Sequence, residues 1–425
     1  MIAQLLLIIE VSVFLMGFAF IFKRERLFGI YYFFLFLYAI IAQIGYFYFP
    51  ELSEYIKAYF GEDVWYEATV VIILSSLFIF IGFVTFWPKL VRLMPLTFRV
   101  TKSKYSFLGK LFVFLIFFML AFQLSYLIFN YEIINWYTNQ DENFRSENLS
   151  FSLFIFLFKL SVGVNVVIYG ITLDRLGSLP KWIYIILTVV SISIFVATAI
   201  KLGNRTDLLA FGLGVLVYHL YRDRFNLRTF LLMLCASILL GLIMYLVESS
   251  RYNDSGVDLN FWAGIVTKDW YAPAHMLFAA IKFNSINPGE VILSNFSNSL
   301  ILIGYPYLQQ GITELFNPGV ATRSAGYAFY IFTEGYMMLG GFGFIYNSLF
   351  ILINMAIWRK LASTNVQEFN NIMLGLMGCM MVNLVRGQGS YFVKYLYTFV
   401  LPSIYLYAVL ADKSLVIIIK GRLLK

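Results

Sequence analysis

Apolar residues along this chain come in long blocks rather than at a helical or strand period. About eleven blocks of roughly 15 to 23 residues carry almost no charge, the length a helix needs to cross a bilayer core of about 30 Å. They run Ala3 to Phe22, Leu27 to Phe49, Ala68 to Trp87, Leu108 to Asn130, Phe151 to Leu173 and Trp182 to Ile200. Asp207 to Tyr221, Thr229 to Leu246, Phe342 to Trp358, Ile372 to Val385 and Phe392 to Leu410 complete the set. The pattern predicts an all-α, polytopic integral membrane protein with about eleven transmembrane helices. No internal repeat accompanies it, which weighs against an inverted-repeat transporter.

Composition agrees: 61% of the 425 residues are hydrophobic and only 13% are charged, about half the charge of a soluble chain. The net charge of +8 raises nucleic acid as a partner, but the Lys and Arg sit in short bursts between apolar blocks, and nucleic-acid binding is not expected. Their placement sets orientation instead. Residues 23–26, 89–104, 175–181, 222–228, 359–360 and the tail after Asp412 hold or flank 20 of the 31 Lys and Arg. The alternate connections are basic-poor and carry Glu51, Glu54, Glu62, Asp63, Glu132, Asp141, Glu142 and Glu147. One alternation fits all the blocks, with the N-terminus outside and the C-terminus inside. No basic residue precedes the first block, so it reads as an uncleaved span rather than a signal peptide. The tail from Ser414 to Lys425 is expected on the inner surface.

One connection stands apart. From Glu248 to about Gly326 the chain stays outside for about 80 residues, with Phe261, Trp262, Trp270, Tyr271, Phe278, Tyr305, Tyr307 and Phe316 as packing surface. Short amphipathic helices are expected there, Asp258 to Phe283 among them. The organisation is therefore spans one to eight over 1–247, a large outer loop over 248–326, and a re-entrant helix with three spans and a cytoplasmic tail over 327–425. Asp207–Tyr221, Phe342–Trp358 and Ile372–Val385 reach only about 21 to 26 Å at 1.5 Å per residue. Either their true ends lie further out, or their outer ends stop short and leave a wet hollow.

Candidate chemistry gathers on the outer side. Arg205 lies in the tight Lys201-Leu-Gly-Asn-Arg-Thr206 turn, Arg251 opens the large loop, Arg323 closes it, and Arg386 lies in Arg386-Gly-Gln-Gly-Ser390. Lys394, early in the last span, is a further cation on that face. The positive-inside bias disfavours arginine here. A guanidinium keeps its charge, presents a planar fork of donors and suits a phosphate ligand; the plainer reading is pairing with headgroups or with Asp207, Glu248, Asp254 or Glu334. A helix over Ser324–Met338 would place Arg323, Tyr327, Tyr330 and Glu334 on one stripe, ending at Gly340-Gly341-Phe-Gly343. His275 is a candidate general base. Glu10 and Lys159, near mid-span, are either functional groups or a structural pair. Cys235, Cys379, His219 and His275 form no metal-ligand spacing, so neither metal nor other cofactor is expected.

The architecture resembles the Wzy-type polymerases of bacterial O-antigen and capsule repeat units. Gly203-Asn-Arg205-Thr-Asp-Leu-Leu is similar to the family's Gly-x-Arg-[Ser/Thr] turn opening an apolar helix. Ser324 through Gly343 is similar to its short helix, glycine break and following span. The resemblance implies a metal-independent glycosyltransferase of the bacterial inner membrane, acting on polyprenyl-diphosphate-linked glycans among membrane lipid, with a flippase and a chain-length regulator as possible partners. It implies that Arg205, Arg323, Glu334 and His275 are catalytic candidates, and that Arg251, Arg386, Tyr327, Tyr330 and Lys394 contact substrate. Some members carry an Arg-x10-Gly pattern; here Glu334 stands at that spacing from Arg323 and Leu216 from Arg205. An O-antigen ligase and a non-enzymatic flippase are the alternatives. A loop histidine just before a glycine-containing span would favour the ligase, and short loops on both faces the flippase.

Overall fold

The computed structural model describes residues 2–48, 60–93, 96–102, 106–135, 147–174, 176, 180–223, 272–283, 287–300, 308–316, 329–411, 413–419 and 422–424. Within these the chain is mostly helical, and seven helical segments are long and apolar enough to cross a membrane. Large apolar side chains stand exposed on these and neighbouring helices: Phe156 is 62% exposed, Phe86 56% and Phe114 66%. Water would penalise that surface heavily, whereas lipid tails match it. The chain is a multi-pass membrane protein. The expected eighth span, Thr229 to Leu246, lies outside the described residues, as do Arg251, Arg323 and Tyr327.

The chain divides into two compact units. The first comprises residues 1–94, 258–357 and 381–394. Its α1 (Ile2–Arg24), α2 (Arg26–Tyr48) and α3 (Glu62–Leu93) pack through aromatics. Phe14 stacks on Tyr32 at 4.4 Å, while Phe28 meets Phe83 at 5.2 Å and Trp87 at 4.9 Å. From the large loop come α8 (Ala272–Phe283), α9 (Pro288–Leu300) and α10 (Leu308–Phe316). The first occupies part of the expected Asp258–Phe283 helix, and residues 258–271 lie outside the described set. Then come α11 (Ile331–Leu339), a 3-10 turn over Gly340–Phe342, and α12 (Gly343–Leu361).

Residues 331–361 count as one of those seven segments by length and composition, as if they formed a single long span. Geometry excludes it. Twelve residues of straight helix separate two positions by about 18 Å, yet the hydroxyl of Tyr346 lies 2.6 Å from the carboxylate of Glu334. Asn347 likewise donates to the Phe332 carbonyl at 3.3 Å. The reversal occurs at Gly340, whose φ of 56° and ψ of −136° is a region closed to residues with a Cβ. α11 is therefore a short helix folded back on α12. The expected start at Ser324 is corrected, because Phe329 lies outside the helix and Tyr330 is extended (φ −111°, ψ 125°). Tyr330 and Glu334 thus share no helical stripe.

The second unit comprises residues 95–257, 358–380 and 395–425. It contains α4 (Ser106–Phe129), α5 (Leu149–Asp174), α6 (Lys181–Lys201) and α7 (Arg205–Arg222), joined by the body of α13 (Gln367–Val385) and by α15 (Leu401–Leu410). A short α14 (Ser390–Tyr395) leads into α15 through a π-helical turn, Leu396–Val400. Pro402 follows that turn, and its missing N–H cannot close an α-helical bond. At one set of connections, Arg222 Nε donates to Asp174 Oδ1 at 2.7 Å and the Tyr184 hydroxyl to the Leu410 carbonyl at 3.2 Å. Elsewhere the Lys201 ammonium sits 3.6 Å from the Tyr131 ring centroid. Lys159 is exposed, and its charge acts on Asp207; Glu10, in the first unit, is buried.

The helical class stands, and three findings add to it. The fold is not purely helical: β1 (Leu96–Lys102), β2 (Lys413–Ile419) and β3 (Arg422–Leu424) form an antiparallel sheet in the order β1-β2-β3. Its register pairs Leu96 with Ile419, Phe98 with Ile417 and Val100 with Leu415. Asn365 completes the outer edge, accepting from Val100 N at 2.8 Å and donating to Val100 O at 3.1 Å. The tail placed on the inner surface is thus a paired strand, because its Val416–Ile419 β-branched run finds a partner more than 300 residues earlier. Finally, the three short blocks belong to helices of 18, 19 and 19 residues, about 27 to 29 Å long; Gly343–Leu361 and Gln367–Val385 gain their added residues at the ends assigned to the inner side.

Candidate functional site

A buried carboxylate organises one end of the first unit. Glu334, in the first turn of α11, has 0% exposure. Its Oε1 accepts from Asn295 Nδ2 at 2.7 Å and from the Tyr346 hydroxyl at 2.6 Å. Its Oε2 accepts from the backbone N–H of Gly389 at 2.6 Å. Three donors from three segments, α9, α12 and the turn after α13, therefore converge on one side chain. Burying a carboxylate is tolerable only with such compensation.

The same turn is held from the loop side. Ser390 N donates to Asn295 Oδ1 at 3.0 Å, Gln388 Nε2 donates to Ser390 Oγ at 2.8 Å, and Leu308 N donates to Gln388 Oε1 at 3.0 Å. Aromatic rings wall the cluster: Tyr346 stacks on Phe350 at 5.6 Å, and Phe392 meets Phe350 at 5.7 Å and Tyr31 at 5.9 Å edge-on. Residue 389 is short of space for any side chain unless Glu334 or Phe350 shifts. A Cβ there would stand 2.7 Å from both Glu334 Oε1 and Phe350 Cζ.

Arg386 opens this clamped turn, just beyond the C-terminus of α13, where a helix dipole favours a cation. Its guanidinium carbon lies 5.9 Å from the Tyr38 ring centroid, within cation–π range. The side chain is half-buried, and that of Lys394, later in α14, is also half-buried. The amides of Gly389 and Ser390 are already engaged. An anion approaching this turn would therefore meet side-chain cations rather than those amides.

No family model, curated protein or solved structure matches the chain. The chemistry rests on its own residues.

Of the residues singled out by sequence, Glu334 and the Arg386 turn come together. Tyr330 is fully buried, and its hydroxyl donates to the Leu35 carbonyl at 2.9 Å, which gives it an anchoring contact with α2. His275 lies in α8 with its ring 6.1 Å from those of Phe60 and Phe278. Burial pushes its imidazole down to about 3, so it is neutral at physiological pH and a weak proton acceptor. In the second unit, Arg205 begins α7 directly after its N-cap Asn204, whose Oδ1 accepts from Asp207 N at 3.3 Å. Gly203, with φ 62°, makes the preceding turn. Asn295, Gln388 and Tyr346 were not singled out from sequence. The signal for Gln388 was its place between two glycines, and neither Asn295 nor Tyr346 carried one.

Proposed function

We propose that this chain is an integral-membrane glycosyltransferase that polymerises polyprenyl-diphosphate-linked oligosaccharide repeat units on the outer face of the bacterial cytoplasmic membrane. The observation that carries the reading is the position of Arg386. It sits on a non-helical turn held rigid by a buried carboxylate and joined to the large loop through Asn295 and Leu308. Irregular backbone among membrane helices needs such internal satisfaction. A preorganised cation there is suited to hold a diphosphate and to stabilise the charge that develops as it leaves.

In the proposed reaction the terminal hydroxyl of one lipid-linked repeat attacks the anomeric carbon of the growing chain. The bond from that carbon to the diphosphate breaks, the hydroxyl proton passes to water or to the departing diphosphate oxygen, and polyprenyl diphosphate departs. Arg386 and Lys394 would bind the diphosphate, with Arg323 proposed as a further anion contact and Tyr327 as a glycan contact. Glu334, with both oxygens already accepting, is better suited to anchoring than to taking a proton.

The proposed orientation, N-terminus out and C-terminus in across eleven spans, is supported by contacts within the second unit. Connections assigned to the basic side meet one another: β1 pairs with the C-terminal β2, Asn365 with Val100, and Arg222 with Asp174. Lys201 and Tyr131, assigned to the opposite side, likewise meet. Complementing a deletion strain tests the function. Wild-type protein should restore long glycan, whereas Arg386→Ala, expressed at equal level, should leave single repeats on the lipid carrier. Long glycan from Arg386→Ala removes Arg386 from the reaction.

A further inference from the structure

We propose that Glu334 is a positioning residue that sets the Arg386 turn against the large outer loop. This rests on the reading of Arg386 as the diphosphate-binding cation. Glu334 does not act alone: Asn295 reads both the carboxylate, through Nδ2, and the turn, through Oδ1 and the Ser390 amide. The two side chains form a relay in which every donor faces an acceptor. Gln388 adds a second strap from the same turn to the start of α10 at Leu308. Movement of loop helices α9 and α10 is therefore transmitted to the backbone that carries Arg386.

The relay makes a sharp distinction between a carboxylate and its isosteric amide. In Glu334→Gln, one amide orientation turns an NH2 group toward the Gly389 N–H, and that backbone donor loses its acceptor. The other orientation turns the NH2 toward Asn295 Nδ2. Asn295 can relieve that clash only by flipping, which presents its own NH2 to the Ser390 N–H. Every arrangement sets one donor of the relay against another, at the Gly389 amide, the Asn295 side chain or the Ser390 amide, and so loosens the hold on the turn. A merely space-filling residue would tolerate the exchange.

The test is hydrogen exchange on the purified full-length protein, read on the peptide covering Arg386–Tyr391, alongside stabilisation by inorganic pyrophosphate. Glu334→Gln should speed exchange in that peptide about tenfold and weaken the pyrophosphate-induced rise in melting temperature. Asn295→Ala, at a half-buried position, should speed exchange there while keeping the fold. It serves if Glu334→Gln does not assemble. Arg386→Ala should abolish the pyrophosphate response and leave exchange slow. Unchanged exchange in Glu334→Gln or in Asn295→Ala overturns the positioning role. A full pyrophosphate response in Arg386→Ala instead overturns the binding role of Arg386, with the relay intact.

Discussion

Glu334 Oε2 accepts a hydrogen bond from the backbone N–H of Gly389 at 2.6 Å, across 55 residues of sequence. The contact brings the second residue so close that a Cβ on it would force Glu334 or Phe350 to shift. Gly389→Ala should therefore lower stability by about 1–3 kcal/mol, as overpacking of a filled site does. The melting temperature of the detergent-solubilised protein measures this. Wild-type melting would show that the turn stands further from Glu334 than described.

Tyr346 supplies one of the three donors to the same carboxylate. Tyr346→Phe keeps the ring stacked on Phe350 and removes only the hydroxyl, leaving Glu334 with two donors. The expected cost is about 1–3 kcal/mol, that of under-satisfying a buried charged group. A neutral result would mean that water or another group replaces the phenol.

His275 gives a pH dependence with a defined sign. Its imidazole is pushed down to about 3 from an ordinary 6.5 by burial. As pH falls below about 6.5 the unfolded chain takes up a proton that the folded chain refuses, so this residue's contribution to stability declines between about pH 6.5 and 3. Melting curves across that window should fall for wild type and be flatter for His275→Leu. Equal slopes would place the imidazole in water.

The proposed orientation is checked by cysteine labelling in a background lacking Cys235 and Cys379. Glu62 and Thr101 are both exposed. Glu62→Cys should react with a membrane-impermeant maleimide in intact spheroplasts, and Thr101→Cys only after permeabilisation. The reverse pattern would invert the topology and place the Arg386 turn on the cytoplasmic face.

The helices were legible because a spanning helix announces itself locally: Trp182 to Ile200 needs no partner to be recognised, and it forms α6 from Lys181 to Lys201. Turns closed by glycine were also legible, as at Gly203 and Gly340, since φ above zero leaves few other residues possible. The sheet was not. The Val416–Ile419 run is as apolar as a span, and nothing near it identifies Leu96–Lys102 as its partner. The candidate site was half legible for the same reason. Arg386 drew attention as an arginine on a disfavoured face, and Glu334 as the last member of an expected helical stripe from Arg323 that the structure does not form. Asn295 and Tyr346 became significant only when folding placed them on either side of Glu334.

The most direct test of the central claim uses the purified protein in liposomes with a polyprenyl-diphosphate-linked repeat unit as sole substrate. Longer lipid-linked glycans should appear, with one polyprenyl diphosphate freed for each new linkage, and Arg386→Ala should slow both together. Intact substrate after incubation with folded wild-type protein, or glycan growth without release of the diphosphate, would contradict it.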